Sequence, residues 1–200
     1  KNAQGRGLSA AGWYVLTLLA FIFTLFVKEN GIILIGLVAL YHLAFLKRPK
    51  ILPLLSVAAV TVIYLIFRAS LSKTGEAHLT VMSVLQRVPG FFVALALYAK
   101  ILPLPFDLFM GHENAIFAFN HPFALMGGAL FLALVVGALW AWRRHPLITF
   151  AIGWFFICIA PVSNLYPIAF YMADHYLYLP SIGFFLIVAA LLRKLYGNQT

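Results

Sequence analysis

"APVSNLYPIAFYMADHYLYLPSIGFF", residues 160–185, interrupts an otherwise apolar chain with Asn164, Asp174 and His175 before apolar sequence resumes after Pro180. The surroundings are those of a chain dissolved in lipid. The 200 residues are 64% hydrophobic and 10% charged, with a mean hydropathy of +1.00, far from the composition of a soluble globular domain. Apolar runs at 8–27, 31–46, 50–67, 122–142, 146–165 and 177–193 approach the roughly 20 residues that a bilayer requires. The sequence therefore predicts an all-α, polytopic membrane protein of about six transmembrane helices in a single transmembrane domain, 1–200. The single cysteine, Cys158, lies inside an apolar run, which excludes an internal disulfide framework and a cysteine metal cluster. The opening "KNAQGRG" leads into a long apolar run without a small-residue cleavage site, so no signal peptide is read.

The basic residues set the expected topology. Lys1/Arg6, Lys47/Arg48/Lys50, Arg143/Arg144 and Arg193/Lys194 fall in separate places along the chain, and the positive-inside rule puts all of them in the cytoplasm. The turn at 28–30 and the loop at 166–176 then share the opposite face, and the stretch 68–121 begins and ends there. A full crossing by 85–102 would carry Arg143 and Arg144 outside. The expectation is therefore that "QRVPGFFVALALYAKILPLPFDLFMGHEN" lies along the outer surface or re-enters it, with Pro89, Pro103 and Pro105 breaking its helices. The net charge of +9 is not a nucleic-acid signature, because the basic residues flank apolar runs instead of forming one patch.

The polar residues near membrane depth are the candidate site. "FVKENGI" places Lys28 and Glu29 in a tight turn at the hydrocarbon boundary, where ionisable groups usually have a partner; a snorkelling lysine and a capping glutamate explain them equally well. Arg87 precedes the expected re-entrant segment and is either a ligand contact or an interface anchor. His112 and Glu113 in "MGHEN" lack a second histidine at ligand spacing, so neither a zinc site nor any other cofactor is expected. Asp174, His175 and Tyr176, with Tyr171 and Tyr178 beside them, suit a sugar or an anionic lipid head: carboxylate to hydroxyl, imidazole to phosphate, aromatic face to ring. An ordinary aromatic belt with Asp174 as a helix cap is the plain alternative.

"PVSNLYPIAFYMADHYLYLPSIGFF" resembles the motif of the transmembrane-and-tetratricopeptide-repeat family of protein O-mannosyltransferases and their bacterial relatives. There a Ser-Asn end of one span leads to an acid–base pair and a "YLYLPSIGF" opening of the next. "FVKENGI" resembles that family's Lys-Glu turn, and "LQRVPGFFVALALYAKILPLPFDL" its arginine, amphipathic segment and proline-leucine exit. The resemblance implies a GT-C-like fold, integral in a membrane, a bacterial inner membrane before an endoplasmic reticulum. It also implies a glycosyltransferase that takes a sugar, mannose in that family, from a polyprenyl-phosphate donor to a protein acceptor on the non-cytoplasmic face. Lys28, Glu29, Arg87, His112, Asp174, His175 and Tyr176 are its expected substrate-binding residues.

Two departures shape that expectation. The family carries an arginine where this chain has His175, so a permanent charge is replaced by a titratable one. The superfamily also places its catalytic acid in the first outer loop, whereas this chain has no acid before Glu29, so no catalytic residue is assigned. The chain is expected to be the carboxy-terminal part of a larger membrane domain, or a shortened relative. The competing expectation is a non-catalytic accessory or scaffold subunit packed against other membrane subunits and lipids.

Overall fold

The computed structural model describes residues 9–46, 51–71, 84–106, 108–113, 115–165 and 170–197. Lys1, Arg6, Lys47, Arg48, Lys50 and most of the connection 68–84 lie outside the described residues, as does the side chain of Glu29. The chain divides into two compact units, Lys1–Ala39 with Pro49–Gly75 and Leu40–Arg48 with Glu76–Thr200.

In the first unit, Ser9 caps helix α1 (Ala10–Val27) by accepting the Gly12 N–H at 3.2 Å. The helix ends at Lys28, whose N–H reaches the Thr24 carbonyl and whose extended backbone stops the α pattern. A short 3-10 turn, Glu29–Ile32, then leads into α2 (Ile33–Phe45). This reversal needs Gly31, because a Cβ there would stand 3.0 Å from the Thr24 methyl group. Helix α3 (Ile51–Leu71) packs on α1 through Phe21, Leu25 and Val57, and Tyr14 shares a hydrogen bond with Ser56.

The second unit is built on α4 (Val84–Ile101), α5 (Pro122–Ala141), α6 (Pro146–Ile159) and α7 (Pro180–Tyr196). Helices α5 and α6 form an antiparallel hairpin. Thr149 Oγ1 donates to the Ala138 carbonyl at 3.1 Å, and the Phe131 and Phe156 rings meet edge-on 5.3 Å apart. Helix α4 also runs against α6. Near its start Arg87 bonds Asn164, just beyond α6, while Leu95, Ala99 and Leu102 nearer its end share a cavity wall with Phe155, Ile152 and Ala151. Helices α4 and α5 therefore point the same way, and the largely non-helical stretch 102–121 must return along the bundle from the end of one to the start of the other.

Close helix approaches hold this arrangement, as expected where packing rather than water exclusion drives association. A Cβ at Gly127 of α5 would overlap the Phe92 carbonyl of α4, and one at Gly183 of α7 would overlap the Ala151 carbonyl of α6. Trp154 Nε1 donates to the Leu179 carbonyl at 2.9 Å, so α7 starts beside the middle of α6 and runs back against it.

Among the described residues four helices, α1, α3, α4 and α5, are long and apolar enough to cross a membrane, whereas Asn30–Phe45 and Pro146–Val162 are shorter apolar helices. The protein is thus mostly helical, with the character of an integral membrane protein. The spanning candidates differ from the six runs read in the sequence: 31–46 and 177–193 form helices of 13 and 17 residues, α2 and α7, that are not among those candidates, and two further stretches depart as well. The run 146–165 is curtailed because Pro161 sits in a 3-10 turn, Ala160–Val162, that closes α6. The segment 85–102, expected to be broken by Pro89, is a continuous helix. Pro89 is close enough to its start that the hydrogen bond it forfeits is the one to Leu85, in the exposed first turn.

Replacing Gly127 or Gly183 with alanine is expected to cost about 1–3 kcal/mol, the usual range for overpacking, in reversible unfolding of the reconstituted protein. Gly137→Ala, facing open space, is the control and stays within about 0.5 kcal/mol of the parent. Equal stability of the Gly127 and Gly137 variants would refute the close α4–α5 approach.

Candidate functional site

The return stretch is stitched to the chain between α6 and α7. Strand β1 (His112–Glu113) pairs antiparallel with β2 (Phe170–Met172), with His112 opposite Met172 and Glu113 opposite Phe170. Gly111 lets the two segments close, since a Cβ there would press 2.9 Å from the Phe170 ring. Beyond β2 the acid takes over. The Phe109 N–H donates to Asp174 Oδ2, and the Asp174 N–H donates back to the Phe109 carbonyl at 3.4 Å. The second carboxylate oxygen, Oδ1, is buried and has no hydrogen-bond partner among the described residues.

Ala173, fully buried, is served by a side chain. The Tyr98 hydroxyl of α4 donates to its carbonyl and accepts from its N–H, both at 3.2 Å. A buried peptide group with no water must find such partners, and here one phenol satisfies both ends.

Tyr171 and Met172 pack into the core around Phe155, Ile159 and Val162. His112 is half-buried, its ring stacked on Phe109 at 5.5 Å and 5.9 Å from Tyr171. His175 is exposed, edge-on to Tyr176 at 4.5 Å. Burial raises the Tyr171 and Tyr176 phenols above their ordinary range, so both remain protonated donors.

The second unit also holds an apolar cavity of about 230 Å³. Leu95, Ala99 and Leu102, neighbours of Tyr98 on α4, form one wall; Leu130, Phe155 and Phe184 stand on the others. Tyr98 itself does not line the cavity; from the same stretch of α4 it reaches the loop at Ala173.

Of the residues singled out in the sequence, His112, Asp174, His175 and Tyr176 come together around the strand pair. Arg87 does not point there. It is 5% exposed, and its Nη1 donates to Asn164 Oδ1 at 2.8 Å, clamping the start of α4 to the end of α6. Arg87 and Tyr98 lie on one face of α4 but about 16 Å apart along its axis. Asn164 itself adopts φ 59°, the left-handed region that asparagine tolerates better than most residues. Lys28 is exposed at the end of α1 in the first unit.

Tyr98 and the backbone of Phe109 were missed. The three-turn repeat of Arg87 and Tyr98 on a single face of an apolar helix was a readable signal for the first; the second had none. No family model, curated protein or solved structure matches this chain.

Arg87→Met leaves Asn164 Oδ1 buried without its donor and is expected to cost about 1–3 kcal/mol. Asn164→Gly loses the bond but keeps the turn, whereas Asn164→Ala loses both and should fall about 1 kcal/mol below it. Thermal unfolding of the three variants checks the order, and an Ala variant as stable as the Gly variant would remove the left-handed turn from the argument.

Proposed function

We propose that the second unit binds the donor of a GT-C-type glycosyltransferase, a polyprenyl-phosphate-linked sugar, mannose being the first candidate. On this reading the chain serves as the carboxy-terminal membrane portion of an enzyme that glycosylates a protein acceptor on the non-cytoplasmic face. The observation that carries the reading is an apolar cavity and a polar loop served by the same stretch of α4: Leu95, Ala99 and Leu102 line the cavity, and Tyr98 among them bonds the loop at Ala173. Such a donor has a long apolar chain and an anionic, hydroxyl-rich head, and the two surfaces suit those two parts. At about 230 Å³ the cavity is smaller than the roughly 300–1,000 Å³ of a complete ligand site, so it takes a stretch of prenyl chain rather than the whole molecule.

Transfer with inversion requires a carboxylate to remove the acceptor hydroxyl's proton and cationic or hydrogen-bonding groups to steady the departing phosphate. In this loop Asp174 Oδ1, buried and with no hydrogen-bond partner among the described residues, would accept from a sugar or acceptor hydroxyl once the loop opens to it, and exposed His175 with the protonated Tyr176 would face the phosphate. Arg87 is given no direct donor contact in this reading, because its Nη1 is engaged with Asn164 in the helix clamp. That clamp is also the observation favouring the scaffold reading, since it gives one motif residue a purely structural task.

The common direction of α4 and α5 supports a re-entrant arrangement in which α4 descends and 102–121 returns to the outer face. Single cysteines placed at Asn120 and at Arg144 should then label from opposite sides of sealed vesicles, and one at Leu104 should be protected from both sides. Free labelling at Leu104 from the cytoplasmic side would make α4 an ordinary span and end the re-entrant reading.

For the donor, a photoreactive polyprenyl-phosphate mannose should label α4 in the reconstituted protein. Leu95→Trp and Ala99→Trp, which fill the cavity, should lower labelling at least about tenfold, the equivalent of about 1.4 kcal/mol, while the folded Arg87→Met variant retains it. Unchanged labelling in both tryptophan variants would overturn the proposal.

A further inference from the structure

The opposite end of the second unit gathers cations that the site does not use. The turn between α5 and α6 carries Arg143, Arg144 and His145, all exposed. Arg144 is fixed there, with its guanidinium carbon 5.7 Å from the centre of the Trp140 ring, and the His145 ring stands 5.8 Å from the same indole. A cation held over an indole keeps its remaining N–H groups directed outward.

Helix α7 ends on the same side of the unit. Leu179 meets Trp154 and Gly183 meets Ala151, so α7 runs antiparallel to α6, draws level with the start of α6 near Val188, and carries Arg193 and Lys194 about 7 Å beyond it, at the end of the unit where the α5–α6 turn lies. Both are exposed, in the last turn of α7. Among the described residues of this unit the carboxylates are Glu113 and Asp174, which belong to the strand pair and its flank, so no described acid offsets the cluster.

Apolar surface adjoins the charge. Trp140 is 62% exposed, Leu139 69% and Tyr196 70%. Cations beside bare apolar helix ends fit an amphiphile whose phosphate meets the charges and whose acyl chains lie on the helices. A soluble anion would leave that apolar surface uncovered. We propose that this end of the second unit is a docking site for the headgroup of an anionic phospholipid. Arg144 and Trp140 from the α5–α6 turn form one side of it, and Arg193 and Lys194 from α7 the other. The site differs from scattered positive-inside charge in that two elements of one unit bring cations to the same end and an indole lies under one of the guanidinium groups.

The test uses the full chain with Trp140 as its single tryptophan (Trp13→Phe, Trp142→Phe, Trp154→Phe), reconstituted in phosphatidylcholine vesicles. The minority lipid is dibrominated phosphatidylglycerol or, for comparison, dibrominated phosphatidylcholine. Bromine on the anionic lipid should quench Trp140 more strongly, and the preference should fall as salt is added. Arg144→Gln and Arg193→Gln should each weaken the preference about fivefold, the factor for one basic residue near an anionic surface. Arg144→Lys should retain most of it, which separates lost charge from lost folding. Equal quenching by the two lipids would overturn the site. So would an unchanged preference in Arg193→Gln with Lys194→Gln, or abolition of the preference by inorganic phosphate at matched ionic strength, which would identify a soluble-anion site instead.

Discussion

A chain that leaves helical structure inside a membrane bundle must still pair every peptide group, because lipid offers no hydrogen bonds. Helices α4 and α5 point the same way, so the stretch between them cannot be a short turn and cannot remain helical throughout. Its N–H and C=O groups need partners from elsewhere. They find them in β2, in the carboxylate and backbone of Asp174, and, for the facing segment, in the Tyr98 hydroxyl. The polar residues of the 160–185 stretch are thus first of all what allows a non-helical return to exist.

Structure and chemistry are therefore combined in one residue. Asp174 fixes the return stretch with one oxygen and holds the other buried, with no partner among the described residues. A hydrogen bond to a charged group contributes roughly 1.5–3 kcal/mol net, and a buried unpaired polar atom costs on the order of 1–3 kcal/mol. The two effects are of similar size, so a carboxylate left half-satisfied gains most from a ligand that supplies the missing donor. Tyr98 ties this polar loop to the core, since its ring is buried there and its hydroxyl reaches the loop.

The helix-to-helix contacts follow a different rule. Gly127 and Gly183 bring backbones together so closely that no side chain fits, and the aromatic pairs Phe92–Phe131 and Phe131–Phe156 fill the space around them. Arg87 belongs to this framework. Its buried bond to Asn164 closes the polar ends of α4 and α6, and Asn164 holds a left-handed conformation just past the end of α6.

By itself the sequence determined that this is a helical membrane protein, because uninterrupted apolar runs leave backbone hydrogen bonding no alternative in lipid. It also marked Asp174, His175, Tyr176 and His112 as candidate site residues, since charged and aromatic side chains stand out against so apolar a background. The course of 85–121 was settled by tertiary structure. A proline such as Pro89 reads the same whether it ends a helix or sits harmlessly in its first turn, and only the packing of α4 on α5 and α6 decides. The tasks of Arg87, Tyr98 and Asn164 were hidden for the same reason. Hydropathy depends on each residue alone, but a buried hydrogen bond between residues 87 and 164, or between 98 and 173, depends on the path the chain takes between them.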